Sequence, residues 1–272
     1  MAGAAPRAAP PAAGARRRPI AISMRSMRPV VDGCRRLAQL RASFAARRID
    51  ALVVPASDPH VSEYPPAAFQ RRSWLSHFDG SAGTAAVTAS AAALWTDSRY
   101  FIQAAQQLPD GWDLMKEGAV APSPTPTLGE WLRAQADEAE TAEFVVGCDP
   151  LVMSQSALAR LQKEVHGSTV RVAVLDQPNP VDAVWGSERP PVPHACELRV
   201  IHTEFAGKSV GQKISELRSQ LAQGSGADLL VVSELDEVMW LTNLRGWGAV
   251  PHCQSALCFA LVEAKTDGST TL

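Results

Sequence analysis

Apolar positions along the chain fall into two kinds of pattern, and each pattern occurs twice. Short unbroken runs, Ala51-Leu-Val-Val54 and Leu229-Leu-Val-Val232, read as buried strands. Ahead of each lies a stretch whose apolar residues recur every three or four positions: Leu37, Leu40 and Phe44 before the first run, and Val210, Ile214, Leu217 and Leu221 before the second. That spacing sets one apolar stripe along a helix.

The two regions are copies of each other. Residues 50–58 return as residues 228–236 at a constant offset of 178, and Trp74-Leu-Ser-His-Phe-Asp-Gly80 returns as Trp240-Leu-Thr-Asn-Leu-Arg-Gly246 at an offset of 166. The first copy therefore carries a 12-residue insertion between its strand and its Trp-Leu segment, and Tyr64-Pro65-Pro66 marks that insertion as a loop. The order of helix, buried strand, Trp-Leu segment, glycine turn and paired strands is used twice, which predicts two α/β domains derived from one unit.

Downstream of its glycine turn the first copy predicts a hairpin over 84–89 and 92–97, a helix from about 99 to 108, and a helix at Trp131-Leu132. A strand at 144–147, a helix carrying Leu158 and Leu161, and a strand at 170–175 follow. The second copy predicts a hairpin that begins at 256–262, turns at Lys265-Thr-Asp-Gly268 and reaches Leu272 within its second strand. By repeat symmetry, roughly 75 further residues belong to that copy. Between the copies, Pro178, Pro180, Pro190, Pro191 and Pro193 predict a semi-rigid linker, with Val184-Trp185 packing on a domain. The expected organisation is a tail or transit peptide at 1–30, a first domain at 31–177, a linker at 178–195 and a partial second domain at 196–272.

Composition narrows the classes of function. An apolar content of 46% over 272 residues permits at least one sizeable core. The 26 basic and 28 acidic side chains leave a net charge of -2, so no overall basic field draws nucleic acid or anionic lipid, and small substrates or protein partners are expected. No apolar run approaches the roughly 20 residues that span a bilayer, and the first residues lack the apolar core of a secretory signal. An intracellular protein with no membrane contact is the expectation. Five scattered cysteines (Cys34, Cys148, Cys196, Cys253 and Cys258) read as reduced thiols, mostly buried. The Ala-, Pro- and Arg-rich start has no acidic residue before Asp32, which fits a disordered tail or an organelle transit peptide.

Few residues offer chemistry. Gly207-Lys208-Ser209 resembles half of a phosphate-binding loop, but His202, Thr203 and Glu204 stand where a glycine-led curve is needed, and Ser209 with Gln212 reads as a capping box. Asp79-Gly-Ser-Ala-Gly83 reads as a tight strand-connecting loop rather than a nucleophile turn. His252, Cys253 and Cys258 are too few and poorly spaced for zinc. His60 and His77 read as satisfied loop or core histidines, and Trp74, Trp95, Trp185 and Trp240 as core residues. Arg99 follows Leu94-Trp-Thr-Asp-Ser98, at the end of a buried strand and the start of a helix, where α/β folds present ligand-binding groups. An ion pair with Asp97 or a solvated side chain are the alternatives.

Three segments, Val53-Val-Pro-Ala-Ser-Asp-Pro-His-Val-Ser-Glu-Tyr64, Arg71-Arg-Ser-Trp-Leu-Ser-His-Phe-Asp-Gly-Ser-Ala-Gly-Thr84 and Leu94-Trp-Thr-Asp-Ser-Arg-Tyr-Phe101, together resemble the N-terminal domain of cytosolic-type Xaa-Pro aminopeptidases. The resemblance continues through Val146-Gly-Cys-Asp-Pro150, Asn179-Pro-Val-Asp-Ala-Val-Trp185, Glu204-Phe-Ala-Gly-Lys-Ser-Val210 and Leu235-Asp-Glu-Val-Met-Trp-Leu-Thr-Asn-Leu-Arg-Gly246. It implies an α/β fold of two creatinase-type N-terminal domains, each a mixed sheet flanked by helices, with the second truncated and the pita-bread catalytic domain absent. It also implies a metallopeptidase that removes the residue ahead of proline in peptides with proline at the second position, working as a homodimer in the cytoplasm, or in a plastid or mitochondrion if the Arg-rich start is a transit peptide. No cofactor is expected in this chain, because the two manganese ions implied by the resemblance belong to the catalytic domain. Of the family's functional residues only one matches a position here: the arginine that reaches the substrate corresponds to Arg99, with Ser98 standing where the family has glycine. The chain alone is expected to be inactive, and a stand-alone binding or assembly module is the alternative.

Overall fold

Strand β1 (Ala51–Pro55) is buried through its first four residues, and the main sheet is built outward from it in the computed structural model, which describes residues 28–119 and 125–264. Antiparallel β2 (Thr84–Thr88) and β3 (Ala92–Thr96) follow on one side, with β4 (Asp113–Lys116) parallel to β3. On the other side β5 (Phe144–Cys148) pairs parallel with β1, and β6 (Val170–Val174) with β5, giving the order β4-β3-β2-β1-β5-β6. Because successive side chains on a strand point to opposite faces, a sheet covered on both sides needs an unbroken apolar strand at its centre. Leu52 and Val54 face a cluster with Leu37, Leu40, Phe44 and Leu75, while Ala51 and Val53 face Trp131, Leu132, Val146 and Leu161.

The first of those faces carries α1 (Arg28–Ala42), α2 (Phe44–Arg47) and α3 (Arg71–Ser76), and the short α4 (Phe101–Gln107) follows β3. The second face is covered by α5 (Leu128–Ala139) and α6 (Gln155–Glu164). Thr127 and Glu130 form a full capping box at the start of α5, which satisfies two backbone donors that a helix end leaves open.

The proline-rich stretch is not a bare spacer. Its first half forms α7 (Pro180–Trp185), capped by Asn179 and seated between α1 and α3. Val181 is fully buried there, and Trp185 stacks on Trp74 with ring centroids 5.0 Å apart. Asp182 accepts two hydrogen bonds from Arg71, at 2.7 and 2.8 Å, and Arg189 Nη1 lies 2.9 Å from the same Oδ2 that Arg71 Nη2 reaches. The packing anticipated for Val184-Trp185 is therefore made by a helix, since Pro180 at its first turn has no amide that the helix would need.

The second copy comprises β7 (Glu197–Val200), α8 (Thr203–Ala206), α9 (Val210–Gln220), β8 (Leu229–Val232), α10 (Leu235–Thr242), β9 (Leu244–Trp247) and β10 (Ala260–Glu263). Its register repeats that of the first: Leu52 faces Val87 as Leu230 faces Val262, and Val54 faces Ala85 as Val232 faces Ala260. Arg41 donates to the carbonyl of Thr88 at 2.8 Å, and Arg218 to that of Glu263 at 2.9 Å. A Cβ on Gly246 would sit 2.7 Å from the backbone at Ser255 and Ala256, which explains the glycine after the second Trp-Leu segment.

Three expectations are overturned. β8 is not a buried strand: Leu229 is 46% and Val231 56% exposed, because no counterpart of α5 and α6 lies over them among the described residues. Trp240, expected in a core, is 52% exposed for the same kind of reason. The thiols are free but not mostly buried, since only Cys148 is enclosed while Cys34 and Cys253 are exposed on a helix face and a loop. The tail before residue 28 and the turn at 265–268 lie outside the described residues.

The buried pair that holds α7 yields a prediction. Asp182→Ala strands Arg71 and Arg189 without their carboxylate and is expected to cost about 3–5 kcal/mol in urea unfolding, whereas Arg71→Met and Arg189→Met together with Asp182→Leu recover most of that loss. A cost below about 1 kcal/mol for Asp182→Ala would show that α7 is held by apolar packing alone.

Candidate functional site

The turn after β3 is built from its own side chains. Tyr100 N donates to the carbonyl of Asp97 at 3.0 Å, closing a four-residue turn, and Asp97 Oδ1 accepts from Arg99 N at 3.1 Å. Ser98 is not among the residues of positive φ, so the turn needs no glycine at that place. Arg99 Nε and Nη2 grip the two oxygens of Asp97 at 2.9 and 2.8 Å, and the guanidinium lies 5.1 Å from the centre of the Tyr100 ring. Its side chain is 66% exposed. The hydrogen bonds from Arg99 pull the Asp97 carboxyl down to about 2, and the same pairing raises the guanidinium. Of the readings open from sequence, the ion pair with Asp97 is made in this structure, by an arginine that remains accessible.

The loop ahead of β2 reaches the same end of the sheet, because β2 and β3 are antiparallel. Ser81 Oγ and Tyr100 Oη are 2.7 Å apart, and Asp79 Oδ1 accepts from Gln103 and Gln107, each at 2.7 Å. Arg72 is buried beneath this loop, donating to the carbonyls of Gly80 and Gly83 and lying 4.8 Å from the centre of the Phe78 ring. Burial pushes its guanidinium down to about 10, against the pull of Asp79 and Tyr100. Gly83, at φ +145°, could not carry a Cβ, which would lie 2.7 Å from the Trp95 carbonyl.

The insertion loop of the first copy closes the site from above. Asp58 is fully buried and accepts from the amides of His60 and Ser62 at 2.9 Å each, which holds the loop in shape. His60 stacks on Phe259 at 4.3 Å, and Tyr64 meets His252 edge-on at 5.1 Å, so the loop touches the second copy. Between them lies an open cavity of about 360 Å³ lined by Glu63, Tyr64, Asp79, Tyr100, Gln103 and His252. Sequence reasoning isolated Arg99 but missed Arg72, Tyr100 and this contact. The available signal was Arg71-Arg72 at the start of an apolar helix, where two charges are out of place unless each is paired.

Among the described residues the cavity presents hydroxyl, amide, carboxylate and imidazole groups. Among the described residues no three His, Cys, Asp or Glu side chains come together in a group that could hold a metal ion. Cys148 is enclosed beside Asp149, and burial pushes its thiol up to about 12. Lys208 pairs with Glu216 at 2.6 Å while Ser209 and Gln212 make the expected capping box, which accounts for both residues without phosphate. His60 Nδ1 lies 3.3 Å from the Ser233 carbonyl oxygen, to which it can only donate. No helix among the described residues is long and apolar enough to cross a membrane.

Comparison with known proteins adds the following. The Creatinase/Prolidase N-terminal domain family matches residues 36–182, and a second family of the same description matches residues 188–272. The chain is 38% identical over 236 residues to a probable Xaa-Pro aminopeptidase P of Talaromyces marneffei, and 41% identical over 238 residues to one of Aspergillus flavus. Each alignment covers 87% of this chain and 34% of the relative, so the chain spans about a third of the length of these relatives. Among solved structures, the X-prolyl aminopeptidase of Caenorhabditis elegans, a cytosolic enzyme with a di-nuclear active site, superposes with a TM-score of 0.75 at 32% identity, over 86% of this chain and 38% of that one.

The grip of Arg99 on Asp97 can be read directly. By carbon-13 NMR the Asp97 carboxyl is expected to titrate near 2, with the pair fully present above the ordinary value of 3.8 and lost as pH falls through 2. In Arg99→Ala the midpoint moves up toward 3.8. A midpoint already near 3.8 in the unaltered protein would mean that the guanidinium is free in solution.

Proposed function

Because the chain belongs to the creatinase/prolidase N-terminal domain family, we propose that it forms the N-terminal, substrate-positioning and assembly part of an Xaa-Pro aminopeptidase, a metallopeptidase that releases the residue ahead of proline. The observation that carries this reading is the breadth of the likeness: 87% of the chain aligns with relatives of that name, through both copies of the repeat. On this reading the metal ions, taken to be two manganese, and the chemistry reside in polypeptide outside the described residues. Substrate would be a peptide with proline at its second position, and the working form a cytoplasmic homodimer, checked by sedimentation and by fractionation.

Arg99 is the residue assigned to substrate. Its accessible position at the end of β3 supports the assignment, and so does its grip on Asp97, which holds a planar two-pronged donor ready for a carboxylate or a peptide carbonyl. Binding would exchange Asp97 for the substrate.

Two outcomes follow. The chain by itself, supplied with manganese and an Arg-Pro-Pro peptide, releases no arginine above a metal-free control, and release would overturn the division of labour. In the complete enzyme, Arg99→Ala lowers kcat/KM by about 10- to 150-fold, the equivalent of about 1.5–3 kcal/mol for a charged hydrogen bond. Arg99→Lys restores only part, because an ammonium keeps the charge without the fork. Unchanged kcat/KM with a lowered Tm would make Arg99 a structural partner of Asp97 instead.

A further inference from the structure

The two copies treat one groove differently. In the first, α7 lies between α1 and α3 and covers a floor of Leu40, Leu52, Val54 and Leu75, all nearly inaccessible. In the second, the matching Leu217, Leu230, Val232 and Leu241 line an open groove of about 460 Å³ between α9 and α10, with Val232 and Leu241 buried at its base, Leu217 and Leu230 half-buried and Trp240 exposed at its side. Each residue is the repeat counterpart of one beneath α7, and Trp240 is the counterpart of Trp74, on which Trp185 stacks. The ring is already held as its counterpart is: Lys213 Nζ lies 4.2 Å from the Trp240 ring centre, and the Arg36 guanidinium 4.6 Å from that of Trp74.

Charge tells what fits the groove. Arg71, at the first residue of α3, is clasped by Asp182 of α7, but its counterpart on α10 is Glu237, beside Asp236. Carboxylates suit a helix N-terminus without any partner. That accounts for Asp236 and Glu237, but not for the apolar floor next to them or for a tryptophan left 52% exposed. A helix like α7 would be repelled there, since its aspartate would face a glutamate.

We propose that this groove seats a short helix built as the charge-reversed counterpart of α7. It carries bulky apolar side chains at the positions of Val181 and Trp185 and a lysine or arginine at the position of Asp182. Its source is the remaining polypeptide of the enzyme, so the inference rests on the function proposed above. The helix would close the second domain as α7 closes the first: apolar residues cover the floor, an aromatic ring stacks on Trp240, and a cation pairs with Glu237.

The test uses the 272-residue chain with nitrogen-15 in its tryptophans and two unlabelled peptides, residues 177–189 of this chain and the same peptide with Asp182→Lys. The Asp182→Lys peptide is expected to shift the Trp240 indole resonance at a concentration at least ~10-fold lower than the unaltered peptide, about 1.4 kcal/mol of preference. Glu237→Lys, at an exposed position in the first turn of α10, should reverse the order, with an unchanged circular dichroism spectrum showing that the helix is kept. Equal response to both peptides, or an unmoved Trp240 resonance with millimolar peptide, overturns the proposal. Self-association abolished by Trp240→Ala and indifferent to peptide would give the groove to a second copy, and also overturns it. No step depends on peptidase activity: a groove that selects the cationic peptide stands even if the complete enzyme fails to cleave before proline, and an active enzyme does not rescue a groove that fails.

Discussion

The short helices α3 and α10 each stop at a left-handed residue, where a helix end leaves carbonyls that no following turn can satisfy. A basic side chain answers this in both copies. Lys213, 2% exposed, donates to the Trp240 carbonyl at 2.6 Å and to Asn243 Oδ1 at 2.7 Å, and Arg36 donates to the Trp74 carbonyl and approaches His77 Nε2 at 3.4 Å. His77 and Asn243 are the left-handed residues, at φ 60° and 53°, that stop these helices. Burying an ammonium is costly, and burial lowers the pKa of Lys213, so the charge is tolerable only because a helix C-terminus and an aromatic face receive it. The Trp-Leu segment, the turn after it and the strand it introduces all take their position from this contact.

A second layer of polar contacts converts sequence motifs into geometry. Asp149, buried after β5, accepts from Asn179 at 2.6 Å and from Gln177 at 2.9 Å, so the end of one strand fixes the start of α7. Asp182 then ties α7 to Arg71, and the adjacent Arg72 shapes the loop that lies beside Tyr100 and Arg99. An exposed arginine thus stands at the end of a chain of contacts that begins in the core and ends at the surface with Ser81, Tyr100 and Asp97. This is how a surface group without a pocket of its own acquires a defined place.

The repeat, the helices and the strands were legible because they rest on local rules: an apolar run of four for a strand covered on both faces, three- and four-residue spacing for α1 and α9, and Ser209 with Gln212 for a helix start. The exposure of β8 and Trp240 was not legible, since Leu229-Leu-Val-Val232 is as apolar as its first copy and burial depends on what lies above it. Arg99 could be singled out by its place after β3, but nothing local distinguished a pair with Asp97 from a free side chain.

By itself the sequence determined which segments form elements, that they form two related units, and which family they resemble, because backbone propensity, side-chain periodicity and repeat identity are all carried by neighbouring residues. Only the tertiary structure decided that Asp182 meets Arg71 across 111 positions, that His60 reaches Phe259, and that one copy of the Trp-Leu groove is filled while the other stands open. Those outcomes depend on which surfaces meet in space. Whether a charge is paired or a ring covered depends on its neighbours in three dimensions, and the residues beside it in the chain do not specify them.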